Sequence, residues 1–235
     1  NIMWGAHAAY AVQSETSVFP VAETVPLAEA SIAKVAAIAQ RGVALARPQG
    51  GENTVVVGLG PIGQLSARLH AVAGARVHAT DLSESRVAML KAAGVPATAS
   101  GGQPLADLFA RIFPEGVHTV VDSTGNPALL MQSLNVGFIK EWNDPRPGAQ
   151  LVIQGSYPEN FSLPYDDAFL RETSIHIPRD QTPAELTHVL DLLAKRQLHV
   201  ADIVEHVAAP ERCQSIYDEL ARANSELLTA VFRWK

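Results

Sequence analysis

The stretch from Thr54 to Asp81, TVVVGLGPIGQLSARLHAVAGARVHATD, decides the fold of this chain. Val55 to Val57 form an unbroken β-branched run, which is typical of a parallel strand covered on both faces. A glycine turn follows, and a helix is predicted from Pro61 to Ala73, because Pro61 suits a first helical turn and Gly74 ends the helical pattern. The run from Ala75 to Thr80 then reads as a second strand. Together these segments predict one unit of an open α/β sheet.

The glycines of this turn have the spacing of a dinucleotide-binding site. Gly58 permits the tight turn, Gly60 lacks the Cβ that would hold a diphosphate away from the backbone, and Gly63 lets the helix pack close to the strand. The helix directs its unpaired amide groups and the positive end of its dipole towards the phosphates. Asp81, at the end of the second strand, would accept both ribose hydroxyls of an adenosine and repel a 2′-phosphate. The stretch therefore predicts binding of NAD in preference to NADP.

Methyltransferases are the nearest class of protein with a similar pattern, since their first strand also leads to a glycine loop and their second strand also ends in an acid. Such a protein would place an acidic residue just before its first glycine, where this chain has Val56 and Val57. Its glycines would also alternate without the gap made by Pro61 and Ile62. Both differences favour the dinucleotide interpretation.

The composition is that of a globular protein with an acidic balance. The 235 residues are 47% hydrophobic and carry a net charge of −6, so the chain can bury a full core. Its 18 lysines and arginines are scattered, and no stretch approaches the apolar length of a membrane span, so neither nucleic acid nor a membrane is expected as a partner. The single cysteine, Cys213, favours a reducing compartment, and the cytoplasm is the expected location. We expect its thiol to be buried and inert.

The segment after Val55 alternates strands with helices, which predicts an α/β fold with a doubly wound, six-stranded parallel Rossmann sheet. Four further strands are predicted near Val95 to Thr98, Val117 to Val121, Leu151 to Gln154 and Thr173 to Ile177. Helices are predicted at Ser83 to Ala93, Leu105 to Phe113, Asn126 to Leu134 and Thr182 to Arg196. The irregular segment from Asn135 to Gly148 is interpreted as a cover loop.

The two ends of the chain differ from this core. Trp4 to Val18 has strand-like character, and Leu27 to Ala46 is an alanine-rich helical stretch. At the other end, a strand from Ile203 to Val207, a helix opening at Pro210 and a strand from Leu227 to Trp234 are predicted. These ends need a further surface on which to pack.

The segments VVVGLGPIG, GARVHATDLSESRVAMLKAAG, VVDSTGNPALL and LVIQGSY together resemble the medium-chain dehydrogenase/reductase superfamily, whose best-known members are zinc alcohol dehydrogenases. The resemblance implies a dinucleotide-binding domain over residues 49–200. Residues 1–48 would be a remnant of the family's GroES-like catalytic domain with a connecting helix, and residues 201–235 a return segment towards that domain. The front of the catalytic domain lies outside these 235 residues. The resemblance also implies a homodimer that pairs through the strand from Thr173 to Ile177.

The cofactor contacts that the resemblance implies fall into three groups. The diphosphate would be lined by Gly58, Gly60, Pro61, Ile62 and Gly63. The adenosine ribose would be held by Asp81, and Arg86 either leans on the same ribose or is a solvated helix charge. The riboses and the carboxamide end of the nicotinamide would be approached by Ser123, Thr124, Gly125, Gln154, Gly155 and Ser156.

The sequence contains few candidate residues for binding a metal ion or for transferring a proton. A catalytic zinc site needs three protein ligands, yet no two of the eight histidines have helical metal spacing or a neighbouring cysteine. In the family a further ligand would come from the helix near Leu27 to Arg41, where only Glu29 is available, so no zinc is expected in this chain. No tyrosine has a lysine four residues later, which excludes short-chain dehydrogenase chemistry. Asp122 is interpreted as a carboxylate that binds loop amides.

Two functions remain open. The first is an NAD(P)-dependent oxidoreductase of medium-chain type, which transfers a hydride between the nicotinamide and a small alcohol or carbonyl substrate. The second is a catalytically silent NAD(H)-binding module. Asn1 indicates a processed or trimmed product, and a longer parent chain would favour the enzyme. An aromatic group near the expected nicotinamide position either lines a substrate pocket or packs in the core, and its members are Trp142, Tyr157, Phe161 and Tyr165.

Overall fold

A computed structural model of the protein describes residues 8–157, 160–204, 206–222 and 226–234. Its main sheet has six strands, β1 (Asn53–Val57), β2 (Arg76–Asp81), β3 (Ala97–Ala99), β4 (Thr119–Asp122), β5 (Gln150–Ile153) and β6 (Ser174–His176). The spatial order is β3-β2-β1-β4-β5-β6, and every neighbouring pair is parallel. This is the strand order of the doubly wound dinucleotide-binding fold. The predicted fold class is confirmed, with β1 central and β6 at an edge.

Nine α-helices are found among the described residues. They are α1 (Leu27–Ser31), α2 (Ala33–Ala46), α3 (Pro61–Val72), α4 (Glu84–Ala92), α5 (Leu105–Ile112), α6 (Pro127–Leu134), α7 (Tyr165–Leu170), α8 (Pro183–Ala194) and α9 (Cys213–Leu220). Their starts follow local sequence signals: the Asn126 side chain caps α6, and Thr182 with Glu185 forms a capping box on α8. The predicted helix from Leu27 to Ala46 is two helices, because the chain breaks at Ile32.

The strands are buried because helices cover both faces of the sheet. Val55 and Val57 pack in a cluster with residues of α5 and α6, whereas Val56 faces α3 and α4 in a second cluster. A third cluster joins α2, α3 and α8. β1 is consequently buried at every position, as the β-branched run predicts.

The segment from Asn135 to Gly148 lies at the amino ends of the strands, since it leaves α6 and enters β5. Gly137 pairs with Val117 just before β4, and the Arg171 guanidinium, 7% exposed, donates to the Gly137 carbonyl at 2.9 Å. Ligands of open α/β sheets bind at the opposite, carboxyl edge. The prediction of a cover loop is therefore wrong, because a helix that follows a parallel strand returns the chain to the other edge of the sheet.

The chain ends only partly follow the sequence patterns. No strand forms between residues 8 and 18, so the strand predicted from Trp4 to Val18 is wrong over that range, and residues 1–7 lie outside the described part. Of the later strand-helix-strand prediction, α9 and β8 (Val231–Phe232) are confirmed in shortened form. The strand predicted from Ile203 to Val207 is wrong at Ile203 and Val204, which lie in a turn, and β7 (Val207–Ala208), which is parallel to β8, begins where that strand was predicted to end. Cys213 was expected to be buried, but it is exposed. On α9 only Ile216 is buried. No helix in the described ranges has the length and apolar character needed to cross a bilayer.

His70 is an ionisable group on the inner side of α3. Both of its ring nitrogens are buried, and neither has a hydrogen-bond partner in the described structure. Burial lowers the pKa of His70 from 6.5 to about 4, because the charged imidazolium would lose its hydration. Between these two pKa values the unfolded chain binds a proton that the folded protein rejects. The contribution of His70 to the free energy of unfolding is thus complete above pH 6.5 and is lost as the pH falls towards 4.

We predict that acidification from about pH 7.5 to about pH 5 lowers the free energy of unfolding by about 2 kcal/mol through His70. His70→Leu should remove this part of the pH dependence, whereas His188→Leu, at an exposed position of α8, should retain it. Urea unfolding of the three proteins at both pH values measures the effect. A His70→Leu protein with the pH dependence of the unmodified chain would contradict the assignment.

Candidate functional site

A crevice of about 370 Å³ opens at the carboxyl edge of the sheet, beside the ends of β1, β2 and β4. The turn between β1 and α3 forms its floor, and Gly60 is the N-cap of α3. The first intrahelical bond runs from the Gln64 amide to the Gly60 carbonyl at 2.9 Å. The amide groups of Ile62 and Gly63 therefore precede the helical bonding pattern and are placed at the positive end of the helix dipole.

Glycine occupies the three positions of this turn for different structural reasons. Gly58 has φ +87°, and a Cβ there would lie 2.9 Å from Cγ2 of Thr124. A Cβ on Gly63 would lie 1.8 Å from the Gly58 carbonyl oxygen, so only glycine permits this approach of helix to strand. A Cβ on Gly60 would meet nothing within 4 Å. Gly60 thus leaves open space in the crevice, while the other two glycines allow the turn to close.

Asp81 holds the glycine turn against the end of β2. Its Oδ2 accepts a hydrogen bond from the Leu59 amide at 2.6 Å, and its Oδ1 accepts one from the Ser83 amide at 2.8 Å. Each carboxylate oxygen still has a lone pair for a further donor. Asp81 lines the crevice, so its carboxylate can meet two neighbouring hydroxyl groups of a ligand.

Asp122 organises the second turn, Ser123 to Gly125. Its buried carboxylate accepts hydrogen bonds from the Thr124 amide at 3.0 Å, the Thr124 hydroxyl at 2.8 Å, the Ser133 hydroxyl at 2.8 Å and the Tyr157 hydroxyl at 2.6 Å. The interpretation of Asp122 as a structural carboxylate is confirmed. Burial, followed by the hydrogen bond to Asp122, raises the pKa of Tyr157 well above its usual value, so Tyr157 remains a donor.

The third turn, after β5, differs in one respect from its sequence-based prediction. The Gln154 side chain does not enter the crevice; it contacts Ser66 of α3 and carbonyl groups of α2. The backbone of Gly155 instead packs on the second turn, since a Cβ on Gly155 would lie 2.4 Å from the Gly125 amide nitrogen. Gly155 and Ser156 therefore lie beside the second turn through their backbone atoms.

The structure brings most of the predicted site residues to one edge. Those that line the crevice are Gly58, Gly60, Asp81, Arg86, Ser123 and Thr124. Pro61, Ile62 and Gly63 form the first turn of α3, and Gly125, Gly155 and Ser156 lie in the neighbouring turns but do not line the 370 Å³ space. The Ser123 hydroxyl oxygen is buried without a hydrogen-bond partner in the described residues.

Sequence reasoning missed the far side of the crevice. It is lined by Leu82, Ser100, Gly102, Gln103, Leu105, Asn126, Leu129 and Gln132. Apart from Gln132, which lies farther along α6, these residues follow β2 and β3 or lie at the starts of α5 and α6, and the rule that ligands bind at the carboxyl edge would have indicated those positions. Their mixture of apolar and amide side chains suits a flat heteroaromatic ring.

The aromatic group proposed near the nicotinamide is not one cluster. Trp142 is 97% exposed in the segment at the opposite edge of the sheet, so its predicted place is wrong. Tyr157 and Phe161 pack together with ring centroids 5.0 Å apart. Tyr165 instead stacks on Phe169 at 5.7 Å. Tyr157 is connected to the second turn of the site through its hydrogen bond to Asp122.

The superfamily that the chain resembles includes zinc alcohol dehydrogenases, but the described residues do not fit a zinc ion. Glu29 is 13% exposed, and its carboxylate is paired with Arg196 at 3.3 Å. Within the described ranges no three His, Cys, Asp or Glu side chains are grouped closely enough to hold a metal ion. No chemical step is therefore assigned to zinc.

Comparison with known proteins gives a family and one curated relative. The family model described as zinc-binding dehydrogenase matches residues 61–195. L-Threonine 3-dehydrogenase of Saccharopolyspora erythraea is 26% identical over 205 residues, which are 86% of this chain and 57% of that protein. The chain therefore spans a little over half the length of this relative.

Similar solved structures share the fold at low sequence identity. The 2R,3R-butanediol dehydrogenase of Bacillus subtilis has a TM-score of 0.81 at 18% identity, covering 92% of this chain and 60% of that one. The protein described as short chain alcohol dehydrogenase (rspB) from Escherichia coli CFT073, complexed with the cofactor NADH, has a TM-score of 0.84 at 18% identity, covering 95% and 64%. Because the family model matches more than half of its residues, the chain belongs to the zinc-binding dehydrogenases of the medium-chain dehydrogenase/reductase superfamily.

Proposed function

We propose that this chain binds NAD(H) in the crevice and is the cofactor domain of an oxidoreductase that transfers a hydride between the nicotinamide and an alcohol or carbonyl carbon. One observation carries the proposal: the Asp81 carboxylate, bonded to the Leu59 amide at 2.6 Å, lies in one crevice with the open face of Gly60 and the start of α3. The dehydrogenase relative and the NADH in one similar structure support a nicotinamide cofactor.

Each part of the dinucleotide has a matching group on the chain. The diphosphate would accept hydrogen bonds from the amides of Ile62 and Gly63 at the helix start. The adenosine ribose would donate to Asp81, and the adenine would lie between the residues that follow β2 and β3 and the starts of α5 and α6. The nicotinamide supplies the hydride when it is bound, and the protein binds and orients it.

The alternative is a module that binds NAD(H) and turns over no substrate. The pairing of Glu29 with Arg196 favours it, because the one carboxylate expected from the α1 region is already engaged. Assays of NADH oxidation with aldehydes and ketones distinguish the two functions when they use the natural, full-length protein: turnover supports the enzyme, and binding without turnover supports the module. The single cysteine supports a cytoplasmic location for either.

Preference for NAD over NADP rests on the charge of Asp81. We predict that Asp81→Ala weakens NADH binding at least about tenfold and NADPH binding less than about threefold, because the carboxylate accepts ribose hydroxyls but repels a 2′-phosphate. Fluorescence titration with both cofactors measures the ratio. The ratio also corrects for any loosening of the turn at Leu59, which would weaken both cofactors alike. Equal losses would show that the carboxylate is not at the ribose.

Substitutions at two glycines of the turn test the effects on folding and on cofactor binding separately. We predict that Gly63→Ala destabilises the protein by about 3 kcal/mol or more, because the new methyl group would overlap the Gly58 carbonyl. Gly60→Ala, at φ −63° and with open space around it, should cost less than about 1 kcal/mol yet weaken NADH binding about tenfold. Thermal unfolding and NADH titration of both variants test this contrast. Normal NADH affinity in Gly60→Ala would contradict the diphosphate position.

We also propose that the chain is a homodimer through β6. This strand is at the sheet edge, where unpaired backbone groups can continue the sheet into a second copy, and Ile175 is 41% exposed there. Val72 on α3 has the same exposure and is a matched control. Sedimentation equilibrium should show a dimer for the unmodified chain and for Val72→Lys, and a monomer for Ile175→Lys. A monomeric unmodified chain would refute the proposal.

A further inference from the structure

Gln154 connects three elements of the fold through its side chain. It is the residue immediately after β5, and its Oε1 accepts a hydrogen bond from the Ser66 hydroxyl of α3 at 2.9 Å. Its Nε2 donates to the carbonyl oxygens of Ile38 and Ala39 in α2 at 3.3 and 3.1 Å. Both amide hydrogens are thereby used, and the side chain is fixed between the two helices and the sheet.

The surroundings of Gln154 are fitted to this side chain. Gly42 lies in α2, where glycine costs about 1 kcal/mol relative to alanine. A Cβ on Gly42 would lie 2.4 Å from Nε2 of Gln154, so the glycine makes room for the amide. Ser66 is completely buried, and its hydroxyl oxygen has its partner in Gln154. An unpaired hydroxyl at this depth would be unfavourable, which holds Gln154 in place.

The backbone of Gln154 begins the third turn of the site. The amides of Gln154 and Gly155 both donate to the Asp122 carbonyl, at 2.8 and 2.9 Å. A Cβ on Gly125 would lie 2.6 Å from the Ser156 carbonyl oxygen, so the second and third turns pack backbone to backbone. The position of this third turn is therefore set jointly by Asp122 and by the Gln154 side chain.

We propose that Gln154 is a positioning residue for the cofactor, which holds the Gly155–Ser156 turn at a fixed distance from the helix that would bind the diphosphate. This inference rests on the proposed function, because the turn would approach the nicotinamide half while α3 holds the phosphates. The side chain touches no part of the cofactor. It acts by fixing two binding elements that lie on different secondary structures, so that one dinucleotide meets both without further ordering.

Such a role makes a different prediction for the two halves of the cofactor. AMP contains only the adenosine and one phosphate, which would meet Asp81 and the start of α3. NADH also reaches the third turn. Loss of the Gln154 restraint should leave the binding of AMP nearly unchanged and weaken the binding of NADH, whereas a general loss of folding would weaken both.

The test measures dissociation constants of AMP and NADH by calorimetry for Gln154→Leu, which keeps the size of the side chain and removes its hydrogen bonds. We expect about tenfold weaker NADH binding and less than about twofold change for AMP. Ser66→Ala, which removes only one of these bonds, should act in the same direction by about threefold. It also serves as the second variant if Gln154→Leu does not fold.

Gln150→Leu is the matched control. Gln150 lies on the same strand and also donates to α2, at the Ala46 carbonyl, but at the amino end of β5 and away from the crevice. It should change neither constant. Equal losses of AMP and NADH affinity in Gln154→Leu, no loss at all, or the same NADH loss in Gln150→Leu would overturn the inference. Failure of the unmodified chain to bind either nucleotide would instead refute the proposed function.

Discussion

The hydrogen bond between the Leu59 amide and the Asp81 carboxylate is the interaction on which the crevice depends. It joins the turn after β1 to the end of β2, while the Gly58 carbonyl and Gly63 close the other side of the same turn. The start of α3 is thereby fixed at the carboxyl edge, with its first amides facing open space above Gly60. One carboxylate thus shapes the turn and remains able to accept a ligand, because each of its oxygens has a second lone pair.

Close packing of backbone extends this arrangement across the sheet. Thr124 meets Gly58, a Cβ on Gly155 would collide with the Gly125 amide nitrogen, and a Cβ on Gly125 would collide with the Ser156 carbonyl oxygen. Three turns from three strands therefore form a continuous edge, and the buried Asp122 carboxylate accepts four hydrogen bonds, two of them from Thr124 of the second turn. Close-packed backbone leaves little freedom for any one turn to move alone, which suits a site that must hold a long, flexible ligand.

Sequence patterns gave correct predictions where the signal is local. The valine run of β1, the glycine turn, the Asn126 cap and the capping box at Thr182 all depend on neighbours within a few residues. Predictions failed where the partners are distant in the sequence. Gln154 bonds to residues about a hundred positions earlier. Trp142 lies at the amino edge of the sheet and not near the expected nicotinamide position, because the strand order decides at which edge a loop lies. Tertiary contacts of this kind leave no periodic trace in a single sequence.

A crystal structure of this chain grown with saturating NADH tests the central claim most directly. The account predicts a diphosphate within about 3 Å of the amide nitrogens of Ile62 and Gly63, with the adenosine ribose hydroxyls on the Asp81 carboxylate. A dinucleotide bound elsewhere on the molecule, or a crevice without ligand density at saturation, would contradict it.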